Sequence, residues 1–142
     1  MSTLTPLIAI HASAAIAATV IGPFALWARL GLRQRPRLHR ALGYAWVTLM
    51  VMTAVSAVFI SDPVFPRWML GSLGFSYIHL LIPVVLFGLF GAFWFLFRGN
   101  VSGHRKTMVN LYLGSCVIAG VFTLLPGRLL GHWLWTTVGA IS

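Results

Sequence analysis

Polar residues in this chain gather in short clusters, and between them stand apolar runs long enough to cross a bilayer, which takes roughly 20 residues. The first run opens with Thr5, a good N-cap, and Pro6 at the first helical position; it continues to about Leu30 with an expected kink at Gly22-Pro23. A second helix begins at Pro36 and reaches about Ile60, where Ser61, Asp62, Pro63 and Pro66 break it. A third covers about Ser76 to Phe97. Its last half is aromatic, with Phe87, Phe90, Phe93, Trp94, Phe95 and Phe97, and Arg98, Gly99, Asn100 and Gly103 end it. A fourth runs from about Ser102 to Leu125, ahead of Pro126-Gly127. Arg128 to Ile141, with Trp133 and Trp135 but interrupted by Gly131 and Gly139, predicts an interfacial segment rather than a fifth span. The pattern predicts an all-α membrane protein with one transmembrane domain over residues 1–142. It is a four-helix bundle (helices about 5–30, 36–60, 76–97 and 102–125) with a short C-terminal interfacial segment at about 128–141.

Composition supports that pattern and charge orients it. Of the 142 residues 59% are hydrophobic and only 8% charged, against about a quarter charged in an average soluble domain. A net charge of +9 would suggest nucleic-acid binding in a soluble chain. Here, however, Arg29, Arg33, Arg35, Arg37 and Arg40, then Arg98, Arg105 and Lys106, surround two loops, leaving only Arg67 and Arg128 on the other side. Such asymmetry marks cytoplasmic loops. It predicts a bacterial inner membrane location with both termini outside, and a basic face that meets anionic lipid headgroups rather than nucleic acid. The first run has no basic flank and is too long for a cleaved signal, so it reads as a retained helix. Cys116 stands alone in the last run, which rules out an intramolecular disulfide.

Asp62 is the only carboxylate side chain. Paired-carboxylate catalysis, carboxylate-rich calcium or magnesium sites and Ser-His-Asp triads all lack their acids, and no catalytic residue is assigned. Histidine remains. His11 and His79 fall at one level, a few residues into helices 1 and 3 from the outer end. His39 and His104 share a second level in the first turns of helices 2 and 4. The two halves repeat: Arg33, five residues, His39-Arg40, and Arg98, five residues, His104-Arg105. Imidazoles from alternate helices facing one interior suit the two axial positions of haem b. Ala15, Ala18 and Gly22, on the helical face of His11, would leave a slot beside its ring. One or two haems are expected, with iron ligands His11 and His79 outside, His39 and His104 inside. Arg33, Arg37, Arg40, Arg105 and Lys106 would serve inner propionates, and Arg67 or Arg128 outer ones. Two other readings stay open: copper or zinc held directly by His11 and His79, with Met69 or Tyr77, and a cofactor-free scaffold or partner subunit whose histidines are buried packing. His132 reads as an interfacial histidine.

His11, HRALGYAW from His39 to Trp46, FSYIHLL from Phe75 to Leu81, HRKTM from His104 to Met108, and FTLLPGR from Phe122 to Arg128 resemble a family of small bacterial membrane proteins, domain of unknown function 2306. The likeness runs over most of the chain and implies the four-helix architecture, with no activity attached. The histidine arrangement is also similar to that of di-haem transmembrane cytochromes b, which pass electrons across a bilayer to or from quinone, ascorbate or superoxide. That similarity implies a membrane oxidoreductase or electron carrier, with quinone or another small redox molecule as partner. Here the inner pair sits at the very start of its helices, so the two levels lie roughly 25 to 30 Å apart by helical rise.

Overall fold

The computed structural model describes residues 5–30, 34–60, 80–125 and 129–139. Five helices account for nearly all of them: α1 (Pro6–Leu30), α2 (Pro36–Val58), α3 (Leu81–Phe97), α4 (Val101–Thr123) and α5 (Leu129–Thr137). Helices α1, α2 and α4 have the length and hydropathy of membrane spans. Helix α3 is equally apolar but has 17 residues, about 25 Å of rise against a hydrocarbon thickness of about 30 Å. Its expected start, at residues 76–79, lies outside the described residues. So does the segment holding Asp62 and Arg67.

Local signals set the ends. Thr5 caps α1, its hydroxyl accepting from the Ile8 N–H at 3.4 Å and its carbonyl from the Ala9 N–H at 3.0 Å, and Pro6 costs nothing at the first position because its missing N–H would be an orphan there. Pro36 does the same for α2. That helix stops at Val58, two residues before the expected Ile60, because the Phe59 and Ile60 N–H groups tighten back onto Ser56 and Ala57. Between α3 and α4 the Gly99 N–H bonds the Leu96 carbonyl and the Asn100 N–H the Phe95 carbonyl. This is a Schellman closure, with Gly99 at φ +71. The Asn100 side chain then accepts from the Gly103 N–H at 2.8 Å and starts α4. One residue thus ends a helix and begins the next.

The four long helices close a ring, α1 on α2, α2 on α3, α3 on α4, and the middle of α4 back on α1. Ala18, Trp46, Met50, Ala54, Val85, Leu89, Leu111 and Cys116 form its core. Where α4 meets α1, its Tyr112–Ile118 stretch is a π-helix, and the Ser115 hydroxyl donates to the Leu111 carbonyl that begins it. Pro23 explains the partner on α1. Without an N–H it leaves the Thr19 carbonyl unpaired within the helix, and the Tyr112 hydroxyl donates to that oxygen at 3.2 Å. In a bilayer an orphan backbone group costs several kcal/mol, so a proline inside a span is tolerated where a neighbour supplies the missing bond. Gly22 lets Tyr112 reach it: a Cβ there would lie 2.6 Å from the tyrosine ring and 3.2 Å from the Trp46 indole nitrogen. The expected slot along Ala15, Ala18 and Gly22 is therefore corrected. Ala18 is fully buried in the core, and at Gly22 two aromatic rings occupy the space, because small residues in spans also serve close packing.

Candidate functional site

His39 and His104, one on the first turn of α2 and the other on that of α4, lie at the same end of the ring and are half-buried. The His39 Nδ1 sits 2.8 Å from the Ala25 carbonyl of α1, 14 residues back along the chain. The His104 Nδ1 sits 2.9 Å from the Ala92 carbonyl of α3, 12 residues back. A carbonyl only accepts, so each ring carries its proton on Nδ1 and keeps Nε2 as the lone-pair nitrogen when neutral. His11, half-buried on α1, behaves alike. Its Nδ1 is 2.9 Å from the Ser56 hydroxyl of α2. The serine's single proton is spent on the Met52 and Thr53 carbonyls, at 2.7 and 3.1 Å, so Ser56 accepts and His11 donates. Each described histidine of the long helices thus ties its helix to a neighbour through one nitrogen and presents the other.

The end of the ring that holds His39 and His104 is basic and, among the described residues, carries no acid. Arg37, Arg40, Arg105 and Lys106 are exposed there. Arg35 lies over the Trp27 ring at 5.1 Å, and Arg98 over Trp94 at 5.0 Å, a cation–π pairing at the end of each hairpin's first helix. The His104 ring meets Phe93 with centroids 6.4 Å apart. Among the described residues no group of three or more His, Cys, Asp or Glu side chains comes together. His79, Arg33 and Arg128, which the sequence adds to the candidate ligands and anion partners, lie outside the described residues, as do Met69 and Tyr77. His132 is exposed on α5, and Cys116 is a buried free thiol with its Sγ 3.7 Å from the Met50 Sδ.

Sequence reasoning placed His39 and His104 at one height but missed their partners and the Trp27 and Trp94 pairings. A signal existed. Ala25-Leu26-Trp27 and Ala92-Phe93-Trp94 are the same alanine-x-tryptophan step, each holding the carbonyl that accepts from a histidine and the ring that meets an arginine. The 14- and 12-residue spans of the two histidine bonds differ because the second connection is two residues tighter, which hides the step from a search at fixed period. No curated protein and no solved structure matches the chain. A family model described as "Predicted membrane protein (DUF2306)" matches residues 8–134, nearly the whole of the ring and part of α5, and the chain belongs to that family.

Proposed function

We propose that this multi-pass membrane protein is a b-type cytochrome of the bacterial cytoplasmic membrane. It spans four times with its termini outside, holds a haem at the inner end between His39 and His104, and carries electrons to or from quinone or another small redox molecule. The observation that carries the reading is the matched hydrogen bonding of His39 and His104. Both donate Nδ1–H to a backbone carbonyl, the arrangement that fixes the tautomer and raises the basicity of an imidazole whose Nε2 binds a metal. The donor set fits haem better than a bare ion: with no third His, Cys, Asp or Glu beside either ring among the described residues, copper or zinc would lack protein ligands there, whereas haem asks for two imidazoles only. Between the histidine levels the interior is filled by Trp46, Met50, Leu111, Tyr112 and Cys116, so a macrocycle belongs at the basic end, where Arg37, Arg40, Arg105 and Lys106 supply partners for propionates. Bound haem would supply one-electron chemistry, while this chain would supply ligation, orientation and a cationic surround that favours the less positive, reduced iron. The outer haem, on His11 and His79, rests on the level matching of those two residues and on the Nδ1 bond of His11.

A second reading, without cofactor, draws on the same bonds. Each Nδ1–H satisfies a ring that would otherwise be costly in an apolar span, so the histidines would be clamps and nothing more. The deciding measurement is the visible spectrum and haem-to-protein ratio of protein purified with its native haem supply, beside His39→Ala and His104→Ala. A low-spin spectrum whose inner component disappears in both variants is expected. Wild-type protein that binds no haem, or binds it unchanged in both variants, would overturn the reading.

A further inference from the structure

The lipid-facing side of α1 carries a feature that the histidine chemistry does not use. Ala18, Gly22, Ala25 and Ala28 turn inward. On the outer face Pro23, Phe24 and Trp27 line an open, wholly apolar recess of about 260 Å³. Phe24 and Trp27 remain more than half exposed. Trp27 is the ring over which Arg35 lies at 5.1 Å, so a cation stands at the inner rim of the recess. The Arg35 N–H closes the end of α1 on the Ala28 carbonyl at 2.9 Å, and beside it Arg29 donates to the Gln34 side chain at 2.9 Å.

Neither arginine has a carboxylate partner among the described residues. The sequence holds only one carboxylate side chain, Asp62, which lies outside the described residues. No described residue supplies a counter-ion, and the apolar wall beneath the arginines says what the rest of an outside partner would be like. We propose that Arg35, Trp27, Phe24 and Pro23 form a site for one anionic phospholipid, its phosphate at Arg35 and Arg29 and the first part of an acyl chain in the recess. A soluble phosphate would use the cations and leave the apolar wall bare. A neutral lipid would do the reverse. The other hairpin supplies an internal control: Arg98 lies over Trp94 in the same way, but there Phe90, four residues earlier, stacks on the ring with centroids 6.3 Å apart, where α1 has Pro23.

The test is retention of dioleoylphosphatidylglycerol against dioleoylphosphatidylcholine by the detergent-purified full chain, counted by native mass spectrometry. Wild-type protein should retain one phosphatidylglycerol in preference to phosphatidylcholine. Arg35→Gln should lower that preference about fivefold, the effect of about 1 kcal/mol per basic residue at a membrane surface. Trp27→Leu should lower it as well although net charge is unchanged, and Arg98→Gln should leave it near wild type. Far-UV circular dichroism confirms that each variant keeps its helices; a variant that loses them is replaced by Phe24→Ser, which removes the opposite wall and should reduce retention equally. Equal losses in Arg35→Gln and Arg98→Gln, or full retention in Trp27→Leu, would mean diffuse attraction to a basic face and would overturn the site.

Discussion

The hairpins α1–α2 and α3–α4 reach the same clamp by different local chemistry. In each, a histidine on the second helix donates to a carbonyl of the first, Ala25 or Ala92, and an arginine lies on a tryptophan of the first. The second hairpin turns tightly because Gly99 adopts a left-handed φ and Asn100 both closes α3 and caps α4. The first has a longer connection, no side-chain cap on α2, and a bond from the Arg35 N–H to Ala28 that closes α1. Pro23 divides them further: α1 surrenders a backbone bond that α4 restores through Tyr112. The comparison teaches that the repeat is kept where side chains must meet across helices, and is free to vary where only the backbone must turn.

The largest break in that comparison should come at the two glycines over which α4 packs. At Gly22 an added methyl would stand 2.6 Å from ring atoms of Tyr112; at Gly88 it would stand 2.6 Å from the Leu111 Cδ2. A ring bonded to Thr19 cannot turn aside without giving up its bond, whereas the end of a leucine can rotate. Gly22→Ala is expected to cost about 1–3 kcal/mol through overpacking. Gly88→Ala should fall near neutral, since replacing a helical glycine contributes about 1 kcal/mol the other way. Unfolding midpoints in neutral detergent check this, and a Gly88→Ala variant as unstable as Gly22→Ala would show that ring and leucine are equally fixed. Next in size is Gly99→Ala. Its φ of +71 costs a residue with a Cβ about 1–2 kcal/mol, while Gln34→Ala in the first connection removes only one exposed bond to Arg29 and should stay within about 0.5 kcal/mol. If the two variants lose the same stability, the tight turn is not what holds the second hairpin.

Much of this fold was legible because its signals are local. Thr5-Pro6 and Pro36 announce helix starts through capping and the missing proline N–H, and both stand where the sequence put them, whereas Asn100, read as an end of the third helix, also caps the fourth, which starts at Val101 rather than about Ser102. The end of α2 was two residues out because a 3₁₀-like last turn at Phe59 has no residue signature of its own. The site was legible to the level of height: His39 and His104 each stand in the first turn of their helix, at matching depth, but their partners are backbone carbonyls, which every residue carries. The stripe Ala15, Ala18, Gly22 misled for a related reason. Small residues announce that something comes close, and only tertiary packing decides whether it is a ligand or, as at Gly22, a tyrosine. That tyrosine was within reach of reasoning, since Pro23 leaves the Thr19 carbonyl needing a donor and Tyr112 is among the few hydroxyls at matching depth.

The smallest expected effect sharpens the comparison most finely. Arg35 over Trp27 and Arg98 over Trp94 have the same geometry to within 0.1 Å, at 5.1 and 5.0 Å, and both tryptophans are about half exposed. At exposed sites such a pair contributes about 0.5–1 kcal/mol. In neutral detergent free of anionic lipid, Arg35→Gln and Arg98→Gln should therefore destabilise by the same few tenths to 1 kcal/mol, since each leaves the backbone bond of its residue, to Ala28 or to Trp94, untouched. Double-mutant cycles with Trp27→Leu and Trp94→Leu isolate the pair terms. Equal couplings would establish that the two halves share one clamp and differ only in what lies beneath the ring, a recess at Trp27 and Phe90 at Trp94. A coupling at Trp94 alone would mean that Phe90 makes the pairing by holding the indole in place, and that the arginine at Trp27 is poised for an outside partner rather than for its own ring.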